Sequence, residues 1–281
     1  MVQNDRLKEI KMRHERIYIN ANDDRIYVDT YLADDKSPKP AMLVIPGGGY
    51  IGVSHFLEGE PIALEFFGRG YNAFVLNYGV KSECDVFPKQ LLDAGRAMIY
   101  IREHAAELGV IADKVYAIGF SAGGHLCGSL ATMFAYPEVT SEFGDKARMI
   151  RPDAVVLSYP VTVALEHAHK GSFTNLFATP YDKIDRERLR RVSLDLAVTE
   201  DSSPMFIWHT VEDKSVPPQG SLMLAAALRG KGVPFMLNMY PYGPHAVGIA
   251  REHAVFGAPE RIRPLAAVWP ERADQWIKSL V

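Results

Sequence analysis

Apolar residues fall along this chain in two rhythms that take turns. Five short, continuous apolar runs, Ala41–Ile45, Ala73–Leu76, Val115–Ile118, Ala154–Leu157 and Met205–Trp208, have the length of strands covered on both faces. Phe235–Tyr240 predicts one more strand. Between the runs, apolar residues recur at helical spacing: Ile62, Leu64, Phe66 and Phe67 within Gly59–Gly70, and Leu91, Leu92, Ala94, Met98 and Ile101 within Pro88–Leu108. His125–Phe134, Ser221–Leu228 and Pro270–Leu280 complete the helical set, the last opening on a proline that suits a first helical position. Near the start, Glu15–Asn20 and Arg25–Leu32 alternate apolar and polar residues around the turn Asn22-Asp23-Asp24, which predicts an antiparallel hairpin. The expectation is an α/β fold with a mostly parallel central sheet, helices on its flanks and an antiparallel N-terminal edge. One region breaks the alternation. Val161–Ser203 carries Gly171, Pro180 and the charged run Asp182–Arg191, and reads as an insertion that forms a small cap. With no repeat, low-complexity tract or linker, residues 1–281 are expected to form a single domain.

Composition narrows the class. The chain has 281 residues, 48% of them hydrophobic, enough for one substantial core. Its net charge of −3, with acidic and basic residues interspersed, is that of an ordinary solvated surface and speaks against a nucleic-acid partner. The polar N-terminus has no signal-peptide apolar run, and no stretch approaches the roughly 18 apolar residues of a membrane span, so a cytoplasmic protein without a membrane partner is expected. The two cysteines, Cys84 and Cys127, make no disulfide framework and are read as reduced and structural.

Four motifs carry chemistry, each at the end of an expected strand. Gly119-Phe120-Ser121-Ala122-Gly123 follows the run ending at Ile118 and leads into a helix. A serine on such a sharp turn needs small neighbours, and the helix N-terminus beside it supplies unpaired amides for a developing oxyanion. Pro46-Gly47-Gly48-Gly49-Tyr50 follows Ala41–Ile45; its glycines let backbone N–H groups face a cavity, so Gly48 and Gly49, with Ala122, are the expected oxyanion donors. The loop has neither the Gly-Lys-Ser/Thr ending of a phosphate loop nor the spacing of a dinucleotide loop. Past Met205–Trp208 come Glu212 and Asp213, of which Asp213 is the expected acid, with Glu212 as the alternative. Past the last strand, Pro241-Tyr242-Gly243-Pro244-His245 sets a histidine on a loop able to reach the serine. The order Ser121, Asp213, His245 is that of an α/β-hydrolase triad. His125 is expected to pack within the serine's helix and His209 at a strand end. His167 and His169 lack partners at metal-ligand spacing, so no metal is assigned.

With these residues in view, the chain resembles the cytoplasmic bacterial α/β-hydrolases known as carboxylesterases, acetyl-xylan-esterase-like proteins and sugar hydrolases, relatives of the hormone-sensitive-lipase and arylformamidase groups. The likeness runs from about Ala41 to the end and includes Glu58–Tyr78, Phe206–Pro217, Val233–Ala250 and Val268–Leu280. It departs in one place: relatives carry histidine before the triple glycine, and here Pro46 stands there. The resemblance implies a serine carboxylesterase acting without a cofactor on small-molecule esters of short acyl groups, acetylated sugars among them. It also implies a homodimer, for which no residue speaks. Tyr50, Tyr78 and Phe56 are expected around the substrate. An arylformamidase-like amidase on the same triad and a non-catalytic binding protein of the same fold are the alternatives. The intact triad weighs against the second.

Overall fold

The computed structural model describes residues 11–35, 37–81, 86–252 and 257–280; Cys84 lies outside them. Among the described residues, nine strands form one sheet: β1 (Met12–Arg13), β2 (Arg16–Tyr18), β3 (Tyr27–Ala33), β4 (Lys39–Ile45), β5 (Asn72–Asn77), β6 (Val110–Phe120), β7 (Val155–Ser158), β8 (Met205–Thr210) and β9 (Phe235–Tyr240). Their order is β1-β3-β5-β4-β6-β7-β8-β9, with β2 also paired to β3. β3 runs antiparallel to β1, β2 and β5, and every pairing from β5 onward to β9 is parallel. This is the α/β arrangement expected from the pattern, antiparallel edge included.

The apolar runs are continuous because alternate residues enter two different cores. Leu43 and Ile45 of β4, Val115 and Ala117 of β6 and Ile207 of β8 point to one side. Val44, Ile118, Phe206 and Trp208 point to the other. Helices Lys89–Glu103 and Ser121–Thr132, with Leu224 and Leu228 of Gln219–Lys231, cover the first face; Glu60–Phe67 and Trp269–Ser279 cover the second.

Three helix boundaries differ from expectation. The helix expected over Gly59–Gly70 spans Glu60–Phe67, and a further short helix, His55–Glu58, precedes it across Gly59, where a Cβ would stand 2.6 Å from the His55 carbonyl oxygen. Pro88–Leu108 breaks at His104 into Lys89–Glu103 and Ala105–Leu108. The helix expected from His125 begins at Ser121 itself. The 161–203 segment contains helices Lys170–Leu176, Arg186–Val192 and Leu194–Ala197. It sends Phe173, Leu176, Leu189 and Leu194 into the first core, while His169 and Asn175 reach the site described next. Among the described residues, no helix is long and apolar enough to cross a membrane.

Candidate active site

Parallel strands deliver their C-terminal ends to one rim, so the loops after β4, β6, β7, β8 and β9 are neighbours although far apart in sequence. Ser121 stands where β6 turns into its helix, with φ of 53°. A side chain in that left-handed region is strained, and the strain lifts the hydroxyl clear of the strand. The turn needs glycine two residues to either side of the serine. A Cβ on Gly119 would stand 2.2 Å from the Gly123 carbonyl oxygen, and one on Gly123 would stand 2.2 Å from that of Ile45 and 2.3 Å from that of Pro46. Gly123→Ala is therefore expected to cost about 3 kcal/mol of stability by forcing the helix off β4. Urea unfolding measures this, and an unchanged midpoint would contradict the close approach.

The structure brings Ser121, His245 and Asp213 into one hydrogen-bonded line. His245 Nε2 lies 2.8 Å from Ser121 Oγ, and His245 Nδ1 lies 2.6 Å from Asp213 Oδ2. Burial alone would raise the Asp213 carboxyl, but hydrogen bonds from His209 and His245 and the Val216 amide outweigh it and hold the group well below the ordinary carboxylate range. An ionised Asp213 only accepts, so Nδ1 of His245 carries the proton and Nε2 is free to accept from the serine hydroxyl. The other Asp213 oxygen accepts from the amides of Ser215 and Val216, both at 2.9 Å, and fixes the carboxylate in place. Glu212, the alternative acid, instead accepts from the Gly243 amide at 3.2 Å and does not reach the imidazole.

His209 was expected only to pack at a strand end, yet it belongs to this line. Its Nε2 lies 3.1 Å from the same Asp213 oxygen, and its Nδ1 lies 2.9 Å from Ser221 Oγ. Burial lowers its pKa, which keeps the ring neutral. His125 packs inside, donating Nε2–H to the Val192 carbonyl at 2.7 Å and accepting from the Tyr50 hydroxyl at 2.7 Å. Burial pushes its pKa down to about 4.

The glycine loop supplies the amides. The N–H of Gly47 is committed to Glu58 Oε2 at 2.8 Å. Those of Gly48 and Gly49 donate to no acceptor among the described residues, and both residues have positive φ, 129° and 63°. Ala122, second in its helix, has no carbonyl four residues back within that helix to bond. Gly48, Gly49, Ser54, Glu58, Ser121, His169, Ser215, His245 and Ala246 line a pocket of about 230 Å³. A second, open groove of about 610 Å³ shares Ser215 and His245 with it and is lined otherwise by Glu212, Lys214, Gly243, Pro244, Glu260 and Arg263.

The three aromatic residues expected around the substrate do not line that cavity. Tyr50 and Tyr78 are buried to 1% and 0% exposure, because each hydroxyl finds an internal partner. Tyr50 bonds His125, and Tyr78 donates to the Pro46 carbonyl at 2.8 Å, which braces the start of the glycine loop. Phe56 lies on the surface at 84% exposure. The cavity walls come instead from residues the sequence did not single out for this role. Glu58 is 2% exposed, and His169, from the 161–203 segment, has Nδ1 2.9 Å from Ser172 Oγ. Behind that wall, the fully buried Tyr159, just past β7, accepts a hydrogen bond from the Gly248 amide at 3.1 Å and donates one to Glu58 Oε1 at 2.8 Å.

Fold and site together define an α/β-hydrolase. Within that class the chain belongs to the BD-FAE family, whose model matches residues 28–228. It is 40% identical over 232 residues, 81% of its length, to endo-1,4-beta-xylanase B of Butyrivibrio fibrisolvens, and covers 35% of that protein. It is 27% identical over 238 residues to the acetylxylan esterase of Xylanibacter ruminicola, which is 83% of this chain and 46% of that one. The chain thus spans less than half the length of these curated relatives. Among solved structures, an acetyl ester-xyloside bifunctional hydrolase from Caldicellulosiruptor lactoaceticus superposes with a TM-score of 0.81 at 32% identity, covering 95% of this chain and 97% of the other.

Proposed function

We propose that this protein is a serine carboxylesterase that hydrolyses short-chain acyl esters, acetylated sugars among them, by transferring the acyl group through Ser121. The carrying observation is His245 poised between Ser121 Oγ at 2.8 Å and Asp213 Oδ2 at 2.6 Å. Nε2 takes the hydroxyl proton as Oγ attacks the ester carbonyl, and Asp213 stabilises the resulting imidazolium. The amides of Gly48, Gly49 and Ala122 hold the oxyanion. The imidazolium returns its proton to the departing alcohol, leaving an acyl-serine. Water then attacks, giving its proton to His245, and the carboxylic acid leaves as Ser121 recovers its own.

Two features support the finer reading. The 230 Å³ pocket beside Ser121, with Glu58 and His169 in its wall, is small, which suits a short acyl group. The wider groove meets it at His245, on the side where the leaving oxygen must be protonated, and the carboxylates and cations in its lining can hydrogen-bond a hydroxyl-rich alcohol. The name of the Xylanibacter relative, acetylxylan esterase, agrees with this. The test compares p-nitrophenyl acetate, butyrate and octanoate with acetylated xylo-oligosaccharides and N-formylkynurenine. The expected kcat/KM falls at least about tenfold from acetate to octanoate, because a small pocket discriminates by about 1–3 kcal/mol per misfitting methylene. Octanoate turned over as well as acetate would contradict the short-acyl assignment, and N-formylkynurenine outpacing every ester would contradict the esterase reading.

A further inference from the structure

We propose that Glu58 is a positioning residue for this acyl transfer, its carboxylate tying the glycine loop that offers oxyanion donors to the loop that carries His245. The inference rests on the Ser121 reading above. Glu58 ends the short helix His55–Glu58, and its side chain lines the cavity beside Ser121. One carboxylate oxygen accepts the Gly47 amide at 2.8 Å; the other accepts the Tyr159 hydroxyl at 2.8 Å. Tyr159 in turn accepts from the Gly248 amide at 3.1 Å, three residues past His245, and its ring meets the His245 imidazole edge-on at 5.1 Å between centroids. Trp269 clamps the same turn from behind, its indole N–H donating to the Gly248 carbonyl at 2.9 Å.

Glu58 makes no ion pair among the described residues, although a carboxylate taken out of water ordinarily needs one. The titratable groups around it are Tyr159, Tyr78, His245 and, at longer range, Arg261. Burial pushes the carboxyl up, and the bonds from Tyr159 and Gly47 pull it part of the way back. A group held at such a cost beside a reacting serine points to function.

The geometry says which function. With its N–H drawn to Glu58, Gly47 cannot serve the oxyanion, and its peptide plane is locked so that the next two amides stay unbonded. Only an acceptor with two oxygens does this while also receiving Tyr159. A glutamine at this position sets its NH₂ against either the Gly47 amide or the Tyr159 hydroxyl, which then has no acceptor for its hydrogen.

The experiment uses Glu58→Gln and Tyr159→Phe in the full chain, assayed on p-nitrophenyl acetate and with a trifluoromethyl ketone that adds to the serine hydroxyl as an oxyanionic hemiketal. Glu58→Gln is expected to lower kcat by about tenfold to a hundredfold, less than the roughly hundred- to thousandfold cost of removing an oxyanion donor outright because the donors are misaligned and not deleted, with KM changed less than about twofold. The ketone's inhibition constant should rise by the same factor as kcat/KM falls, which a merely structural residue would not produce. Tyr159→Phe should shift both quantities the same way by a smaller factor, since Glu58 keeps Gly47, and it carries the test if Glu58→Gln does not fold. Wild-type kcat in the folded variants, or a loss confined to KM with ketone binding unmoved, would overturn the proposal. Ser121→Ala separates the two levels: an inactive alanine variant beside a fully active Glu58→Gln sinks only the role of Glu58, whereas an active alanine variant sinks the triad reading itself.

Discussion

Ser121→Ala is expected to lower kcat on a short-chain ester by about 10⁶-fold, the scale seen when a triad nucleophile is removed from a site that otherwise remains intact. The loss should fall on kcat rather than KM, because the cavity walls, the glycine loop and the groove are untouched. Ser121→Gly should be equally inactive and more stable than the alanine variant by about 1 kcal/mol. Alanine keeps a Cβ in the left-handed region at a φ of 53°, and glycine does not. Steady-state kinetics and urea unfolding of the pair read both effects. An alanine variant within tenfold of wild type would remove Ser121 from the chemistry, and equal unfolding midpoints would remove the strain from the turn.

Asp213→Asn is expected to lower kcat by about 10⁴-fold near neutral pH and to destabilise the fold as well. The carboxylate receives four donors, from His245, His209, Ser215 and Val216. An amide has one accepting oxygen, so whichever way it turns, its NH₂ faces donors, and the His245 tautomer that leaves Nε2 free is no longer favoured. Glu212→Gln, by contrast, keeps an acceptor for the Gly243 amide and should stay within a few-fold of wild type. The pH dependence has a definite sign. The folded-state pKa of Asp213 lies well below its unfolded value of about 3.9. Its contribution to stability is therefore fully present above that pH and drains away as pH falls toward the folded-state value. The stability gap between wild type and Asp213→Asn should narrow below about pH 4; a gap that stayed constant into acid would contradict the depressed carboxyl.

Much of this was legible in the chain because the sheet imposes a strong period. Runs such as Ala41–Ile45 and Met205–Trp208 mark strands whose alternate residues feed two cores, so each strand end, and with it each motif, could be placed at one rim. What escaped the sequence was set by tertiary contacts. Tyr50 and Tyr78 read as pocket aromatics because they flank the glycine loop and the next strand, yet their hydroxyls find His125 and the Pro46 carbonyl, partners that only folding reveals. Glu58 looked like an ordinary charge within Glu58–Gly59–Glu60. Nothing local distinguishes it from Glu60, which is exposed, and the short helix His55–Glu58 that turns Glu58 inward lies before the expected helix, on the far side of Gly59. His209 and Tyr159 were hidden for a related reason. Each lies at or just past a strand end, where packing and catalysis favour the same residue types, and only the 3.1 Å approach of His209 to Asp213 tells the two uses apart.

The most direct measurement is the site of covalent modification by a fluorophosphonate, read by intact mass and then by peptide mapping. If Ser121 is the nucleophile activated by His245, one adduct forms, it maps to Ser121, and hydrolysis of p-nitrophenyl acetate is lost in step with labelling, while His245→Ala labels far more slowly. An adduct on another residue, or full esterase activity surviving a completely labelled Ser121, would contradict it.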